Sequence, residues 1–234
     1  AHPPLGKYMI ALGMWLGSHI LGKDLTSLSG TAIYPWVYRW MNAFTGFLFP
    51  LVVGGIAYLL SQRRSYTLIA SLFMAVDGLF LVESRYALIN IYLVMFGLLG
   101  QLFLLIALVN RGKNRQIWLL FSGISLGASV AVKWNGLAFL LGIYILWFLA
   151  WFLQLFLKNR SENLPEVSSQ RFKVRQVKVK ESILQNLTEI NFLQVIIFLA
   201  VIPAIIYALV WIPHLEINKD TSFGKVHQQM LGFH

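Results

Sequence analysis

The sequence contains no cysteine, and only 12% of its 234 residues are charged. The absence of cysteine excludes disulfides and thiolate metal sites. Among the charged residues, the acidic ones are the scarcer, with nine Asp and Glu against 19 Lys and Arg, so the formal net charge is +10. In contrast, 58% of the residues are hydrophobic and the mean hydropathy is +0.68. This composition predicts an integral membrane protein.

Long apolar runs predict the architecture of this membrane protein. A helix needs about 20 mostly apolar residues to cross a bilayer, and its backbone groups have to be hydrogen-bonded within the segment. The runs are too long and too continuous for barrel strands. They predict an all-α, polytopic transmembrane helical bundle that forms a single domain over residues 1–234. The six expected spans are 42–60, 66–83, 88–109, 117–132, 137–157 and 190–212.

The basic residues are concentrated in alternate loops, which predicts the orientation of the bundle. Segments 61–65, 110–116 and 158–189 together carry 12 of the 19 Lys and Arg residues. Short loops rich in Lys and Arg mark the cytoplasmic side. We interpret 158–189 as a cytoplasmic loop on anionic lipid rather than a regulatory or nucleic-acid patch, and we predict no nucleic-acid partner. The N-terminal residues then face the periplasm or the lumen.

The N-terminal residues combine a rigid bend with two polar side chains. Pro3 and Pro4 fix φ and remove two backbone donors, so this segment turns the chain or begins a helix. His2 and Lys7 flank the expected helix start, where a phosphate-bearing lipid can be met. Apolar residues spaced by three and four then predict an outer interfacial helix over 5–21. Because no initiator Met precedes this segment, we expect the chain to begin inside a longer protein.

Charged side chains within or beside a span are costly, by roughly 2.5–3.5 kcal/mol, and are therefore functional candidates. Asp77, Glu83 and Arg85 lie at the outer end of the second expected span. Asp77 and Arg85 are eight residues apart and would share roughly one helical face. They form a structural ion pair in one interpretation. In the other, Arg85 binds an anionic group in an outward cavity, because guanidinium stays charged and grips phosphate with two hydrogen bonds.

Two further groups of candidates lie at the outer ends of helices. Lys133 and Trp134 are either a snorkelling interfacial anchor or part of a binding site. The C-terminal segment contains His214, His227 and His234, whose spacings of 13 and 7 match no zinc site. We therefore predict no metal.

Taken together, these residues give the chain a resemblance to the protein O-mannosyltransferase family, membrane glycosyltransferases of the GT-C class. Residues 2–7 (HPPLGK) resemble its His-Pro-Pro-Leu motif in the first external loop. Residues 77–90 (DGLFLVESRYALIN) follow its pattern of Asp and then Ser-Arg-aromatic, and 131–137 (AVKWNGL) its Lys-Trp-x-Gly-Leu turn. Residues 211–215 (WIPHL) and 223–234 (FGKVHQQMLGFH) are similar to its seventh span and the following external loop.

The resemblance implies a GT-C fold and transfer of mannose, with inversion, from a polyprenyl-phosphate donor to Ser or Thr of an acceptor protein. It implies no metal or other cofactor, and Arg85 matches an arginine that family members need for activity. We expect Arg85 to stabilise the phosphate. We expect the donor to be bound by the residues of two motifs, namely His2, Pro3, Pro4, Lys7, Lys133 and Trp134. The site is expected to be supported by Asp77, Glu83, His214, His227 and His234.

The chain also departs from the family pattern. Asn90 stands where family members often carry an acid. The Asp-Glu pair that supplies the family's catalytic carboxylate would precede Ala1, and further spans would follow the last residue. We therefore expect the base to lie outside this chain and residues 1–234 to be inactive by themselves. The absence of cysteine and of a long external insertion favours a bacterial plasma membrane over the endoplasmic reticulum.

Other functions remain open at this point. A related GT-C enzyme would move a sugar from the same kind of donor to lipid A or another glycan. A transporter also contains intramembrane charges, but the charges here cluster at the outer ends of helices and no inverted repeat is visible. A structural scaffold is the simplest alternative, and the four family-like blocks argue against it.

Overall fold

A computed structural model describes residues 2–21, 34–162, 183–218 and 222–232, and within those ranges it contains no strand. The helices are α1 (Leu5–Leu21), α2 (Pro35–Ser61), α3 (Arg64–Val76), α4 (Gly78–Arg85), α5 (Asn90–Val109), α6 (Gly112–Val132), α7 (Leu137–Glu162), α8 (Phe192–Ile217) and α9 (Phe223–Gly232). Of these, α2, α5, α6, α7 and α8 are long and apolar enough to cross a bilayer. The predicted all-α, polytopic membrane bundle is confirmed.

The second expected span, 66–83, is broken rather than continuous. Helix α3 ends at Val76, and α4 leaves it at an angle of 54°. Asp77 is extended at the break, and its carboxylate accepts a hydrogen bond of 3.1 Å from the Phe80 amide. The Asp-Gly dipeptide explains the break, because Asp caps a helix better than it continues one and Gly disfavours a helix interior. Arg85 at the end of α4 forms no ion pair with Asp77, so that interpretation is wrong.

The expected cytoplasmic loop, 158–189, is shorter than predicted at both ends. Helix α7 extends to Glu162, and a short 3₁₀ helix follows at Ile183–Glu189. Leu187 on that turn is buried among apolar residues of α5 and α7. The guanidinium of Arg115, itself 8% exposed, donates to the Asn110 carbonyl and to the Glu189 carboxylate. These contacts close one end of the bundle, which we call the inner end; the opposite end, which carries Ile89 and Val132, is called the outer end.

Glu189 makes the stability of this inner end dependent on pH. The hydrogen bond from Arg115 lowers the pKa of Glu189 below its usual value. A carboxylate whose pKa is lowered by folding stabilises the fold at pH values above its unfolded-state pKa. This stabilisation is lost as the pH falls through the folded-state pKa. Glu189→Gln is therefore expected to lower the melting temperature at neutral pH, and this difference is expected to shrink as the pH is lowered from about 7 toward 3. Thermal melts in detergent across this range would measure it.

Glu216→Gln is the matched control, since this exposed carboxylate lies at the opposite end of α8. If both variants showed the same pH profile, the ion pair would have no role in stability.

Helix α6 is the centre of the bundle. On one face, the Ser122 and Ser129 hydroxyls each donate a 2.8 Å hydrogen bond to carbonyls of α5. On another, Gly123 and Gly127 lie against α8. A Cβ on Gly123 would stand 2.0 Å from the Phe198 carbonyl oxygen, and one on Gly127 would stand 2.8 Å from Pro203 Cα. This small-xxx-small pattern permits close approach of two spans.

Helix α1 packs across the outer ends of the spans. A Cβ on Gly6 would stand 2.7 Å from Ile89 Cβ, immediately before α5, and 3.1 Å from the last residue of α6. Further along α1, the Trp40 indole of α2 donates to the Gly13 carbonyl at 2.8 Å. The expected helix over 5–21 is present, and its packing places the N-terminal residues beside the outer ends of α5 and α6.

Candidate functional site at the outer end of the bundle

A tight turn between α6 and α7 positions Trp134. Lys133 ends α6 in an extended conformation, and the 3₁₀ turn Trp134–Gly136 follows. Gly136 lies so close to α6 that a Cβ would stand 2.5 Å from the Ser129 carbonyl carbon. Only glycine fits there without displacing backbone, so the Lys-Trp-Asn-Gly sequence fixes the Trp134 indole at the edge of the bundle.

Trp134 begins a hydrogen-bonded chain that joins three elements. Its Nε1 donates to the Tyr207 hydroxyl of α8 at 3.0 Å. The same hydroxyl lies 2.7 Å from Nε2 of His227 on α9. On the other side of the imidazole, Nδ1 lies 2.7 Å from the Phe223 carbonyl. The chain holds α9 against the outer ends of α7 and α8.

Aromatic rings surround His227 in the same place. The centroid of its imidazole lies 4.0 Å from that of Phe223 and 5.1 Å from that of Trp211. The rings of Tyr207 and Trp134 follow at 5.6 and 6.2 Å. Trp211 is buried, and its ring also lies 5.4 Å from that of His214.

A large cavity of about 1050 Å³ opens beside the hydrogen-bonded side chains of Trp134, Tyr207 and His227. Trp134, Tyr207 and His227 line its outer end, and Tyr144 and Leu199 line its deep end. Ten residues of helix separate Trp134 from Tyr144, so the cavity extends about 15 Å along the bundle. The other lining residues are mostly apolar side chains of α7 and α8, and none is acidic. An elongated apolar molecule with a polar end therefore matches its shape and chemistry.

The deep end of the cavity lies against an irregular part of α8. Residues Val195–Val201 form a π-helical segment, a feature frequent at functional sites. The Tyr144 hydroxyl donates to the Leu199 carbonyl within this segment. This bond ties α7 to α8 at the floor of the cavity.

The N-terminal motif lies at the same outer end. Pro3 and Pro4 are buried, and Lys7 is exposed. Tyr8, one residue further, has a buried hydroxyl that faces the backbone of His214 without full hydrogen-bond geometry. Burial raises the pKa of Tyr8, and the neighbouring His214 backbone partly offsets this. Tyr8, which directly follows the motif, and the outer end of α8 are therefore neighbours.

The Arg85 region forms a second polar cluster, beside α2. Arg85 is exposed at the end of α4. One Glu83 carboxylate oxygen lies 3.5 Å from the Asn90 amide nitrogen, whereas the other is buried and has no hydrogen-bond partner in the described ranges. The Arg39 guanidinium lies 5.4 Å from the centre of the Tyr86 ring.

The structure brings some of the predicted site residues together. Trp134, His214 and His227 share one aromatic cluster, and Tyr8, which directly follows the N-terminal motif, lies near His214 of that cluster. Asp77 caps the start of α4. It lies about 12 Å from the other end of that helix, where Arg85 is, because α4 has eight residues. His234 lies outside the described residues. The roles assigned to Arg85, Glu83, His2, Lys7 and Lys133 stay predictions.

Sequence reasoning missed Tyr207, Tyr8 and Arg39. Tyr207 lies in the middle of an apolar run, where a tyrosine is not distinguishable from a lipid-facing aromatic residue. Arg39 carried a signal, because a cation within Tyr-Arg-Trp at the start of a span is unusual in an apolar segment. Its Nε is buried without a hydrogen-bond partner in the part of the chain that the structure describes.

Comparison with known proteins agrees with this picture. The model of the dolichyl-phosphate-mannose-protein mannosyltransferase family matches residues 1–218. A "polyprenol-phosphate-mannose--protein mannosyltransferase" of Mycolicibacterium smegmatis is 31% identical over 164 residues, which are 60% of this chain and 28% of the relative. A Corynebacterium glutamicum protein of the same name is 28% identical over 159 residues, covering 59% and 28% of the two chains.

A mouse "protein O-mannosyl-transferase 1" is 26% identical over 143 residues, which are 58% of this chain and 19% of the relative. The aligned region thus spans less than a third of the length of each of these relatives. The family model, in contrast, covers nearly all of the 234 residues, from the proline motif through the outer end of α8. The chain belongs to the dolichyl-phosphate-mannose-protein mannosyltransferase family.

Proposed function

We propose that this chain is the donor-binding part of a membrane enzyme that transfers mannose from a polyprenyl phosphate to Ser or Thr hydroxyls of proteins. The observation that carries the proposal is the cavity of about 1050 Å³ with apolar walls and a hydrogen-bonding outer end. A polyprenyl-phosphate sugar matches this arrangement, because its apolar isoprenoid tail suits the apolar walls and its charged headgroup suits the hydrogen-bonding end. The names of the bacterial relatives, which include polyprenol-phosphate-mannose, support this choice of donor.

The chemistry requires separate groups for the leaving phosphate and the attacking hydroxyl. The acceptor oxygen forms a bond to the anomeric carbon as the bond from that carbon to the phosphate oxygen breaks, and a carboxylate takes the hydroxyl proton. Cations stabilise the departing phosphate. We assign this last role to Arg85, with His2, Lys7 and Lys133 as neighbours in the donor site. We assign the carboxylate to no residue of 1–234.

The proposal includes a location. The multi-pass bundle lies in a membrane, and the basic segments at its inner end support a periplasmic or lumenal position for the α1 end. We propose the plasma membrane of a bacterium, with the two bacterial relatives as support. No metal or other cofactor is part of the proposed reaction.

A transfer assay tests this function. The complete gene product, reconstituted in nanodiscs, is expected to move labelled mannose from polyprenyl-phosphate-mannose to a Ser/Thr-rich peptide. The same peptide with Ala at every Ser and Thr serves as the control, and β-elimination of the product identifies the O-linkage. Labelling of lipid A or a glycan instead of the peptide would support the related glycosyltransferase, and absence of transfer to any acceptor would contradict both.

A further inference from the structure

The hydrogen-bond partners at the mouth of the cavity determine which atoms of Trp134, Tyr207 and His227 carry protons. The Phe223 carbonyl only accepts, so Nδ1 of His227 carries a proton and donates to it. Trp134 Nε1 only donates, so the Tyr207 oxygen accepts from it. When His227 is neutral, Nε2 is left as an acceptor, and the Tyr207 proton points at it. In this state Tyr207 has no proton to offer to the cavity.

A second proton on His227 reverses one bond of the chain. Nε2 then donates to the Tyr207 oxygen, which already accepts from Trp134. Both lone pairs of that oxygen are occupied, so the Tyr207 hydroxyl proton has to find a new acceptor. Tyr207 lines the cavity, and an anionic oxygen placed there would accept this proton in a hydrogen bond.

We propose that Tyr207 and His227 form the headgroup end of the cavity and bind the phosphate of an isoprenoid lipid, with one proton taken from solvent by His227 as the anion arrives. The inference rests on the proposed function and adds two residues to it. Tyr207 keeps its own proton and donates a hydrogen bond, and Trp134 positions it. Anion binding and proton uptake are thereby linked, because the hydrogen-bonded side chains hold the anion best when His227 is protonated.

Other titratable and charged groups lie at this end of the bundle, and the variants below separate their contribution from that of His227. Those that the structure describes at the outer ends of the elements around His227 are Lys133 before α7, Tyr207, His214 and Glu216 on α8, Lys225 on α9, and Lys7 and Tyr8 on α1.

Binding of a phosphodiester isolates the protein's contribution to the pH dependence. Farnesyl-phosphate-mannose carries one negative charge throughout the relevant range, so only protein groups titrate. We expect the complete gene product in nanodiscs to bind this ligand about tenfold more tightly at about pH 6 than at about pH 8. Farnesol, which lacks the phosphate, is expected to bind with the same affinity at both values. Equilibrium binding of radiolabelled ligands measures both.

Variants distinguish binding of the phosphate headgroup from binding of the isoprenoid tail. Tyr207→Phe is expected to weaken binding of farnesyl-phosphate-mannose about tenfold at the lower pH and to leave farnesol unchanged, since a hydrogen bond to a charged group is lost. His227→Gln is expected to abolish the pH dependence. Tyr66→Phe, which removes an exposed hydroxyl near the inner end of the bundle, is the matched control and is expected to keep it.

The outcomes are distinguishable. If the unaltered protein did not bind farnesyl-phosphate-mannose, the proposed function itself would be contradicted. If it bound the ligand but Tyr207→Phe and His227→Gln matched the unaltered protein at both pH values, the headgroup assignment alone would be wrong. His227→Gln by itself decides the question if Tyr207→Phe does not fold.

Discussion

Gly123→Ala is expected to destabilise the bundle by about 3 kcal/mol, because the added methyl group has no space. Its carbon would stand 2.0 Å from the Phe198 carbonyl oxygen and 3.1 Å from the attached carbon. Both atoms belong to the backbone of the π-helical segment in α8, so no side chain can rotate away. Helix α8 has to move from α6 instead. Unfolding by SDS in mixed micelles measures the change in free energy.

The matched control for this substitution is Gly142→Ala in α7. A Cβ at Gly142 meets nothing within 4 Å. Replacing glycine by alanine inside a helix stabilises it by roughly 0.5–1 kcal/mol when space is available. The two variants are therefore expected to change stability in opposite directions. A Gly123→Ala protein as stable as Gly142→Ala would show that α6 and α8 do not pack as closely as described.

Movement of α8 has a consequence for the site. Tyr207 is on α8 and Trp134 follows α6, so the distance between these helices sets the 3.0 Å hydrogen bond between the two side chains. Gly123→Ala is thus expected to weaken donor binding as well as the fold. Farnesyl-phosphate-mannose binding at a temperature where the variant is still folded distinguishes this effect from unfolding.

Arg85→Ala is expected to reduce mannose transfer by the complete gene product about 100-fold while leaving the fold unchanged. Arg85 is exposed at the end of α4 and forms no ion pair with any residue that the structure describes, so its removal breaks no charge pairing there. Under the proposed function its guanidinium stabilises the charge that develops on the phosphate. Initial rates with polyprenyl-phosphate-mannose measure the loss, and thermal melting checks that the protein is folded.

Arg64→Ala is the matched control for the catalytic test. Arg64 is also exposed and begins α3, at the other end of the same bent helix pair. Its removal subtracts the same charge from the inner side and is expected to leave the rate unchanged. Equal rates for Arg85→Ala and the unaltered protein would remove Arg85 from the site. Arg85→Lys adds a further test, since it keeps the charge but loses the two-bond geometry.

The fold class was predictable because the relevant signal is local. A membrane-spanning helix satisfies its own backbone, so hydropathy over about 20 residues is enough to identify it. The break at Asp77 carried a local signal as well, in the Asp-Gly dipeptide. It was missed because the surrounding residues are apolar enough for a single span. Leu187 is buried, although its segment is flanked by charges, because it meets apolar residues of α5 and α7 that are distant in sequence.

The candidate site was only partly predictable. The motif residues His2 to Lys7, Arg85 and the Lys133-Trp134 pair are identifiable because charges and prolines are rare in this chain. Tyr207 is one of nine tyrosines, and its sequence neighbours give it no distinction. Its importance depends on two partners, 73 and 20 residues away in sequence.

By itself the sequence determined the membrane environment, the all-α architecture, the grouping of basic residues at one end and the family, because each depends on composition or on contiguous motifs. Only the tertiary structure decided which polar groups meet. Side chains on α8, α9 and the turn before α7 form one hydrogen-bonded chain at the mouth of a cavity, and two glycines of α6 set the spacing of the helices around it. Such contacts depend on distances between helices, which hydropathy and short motifs do not encode.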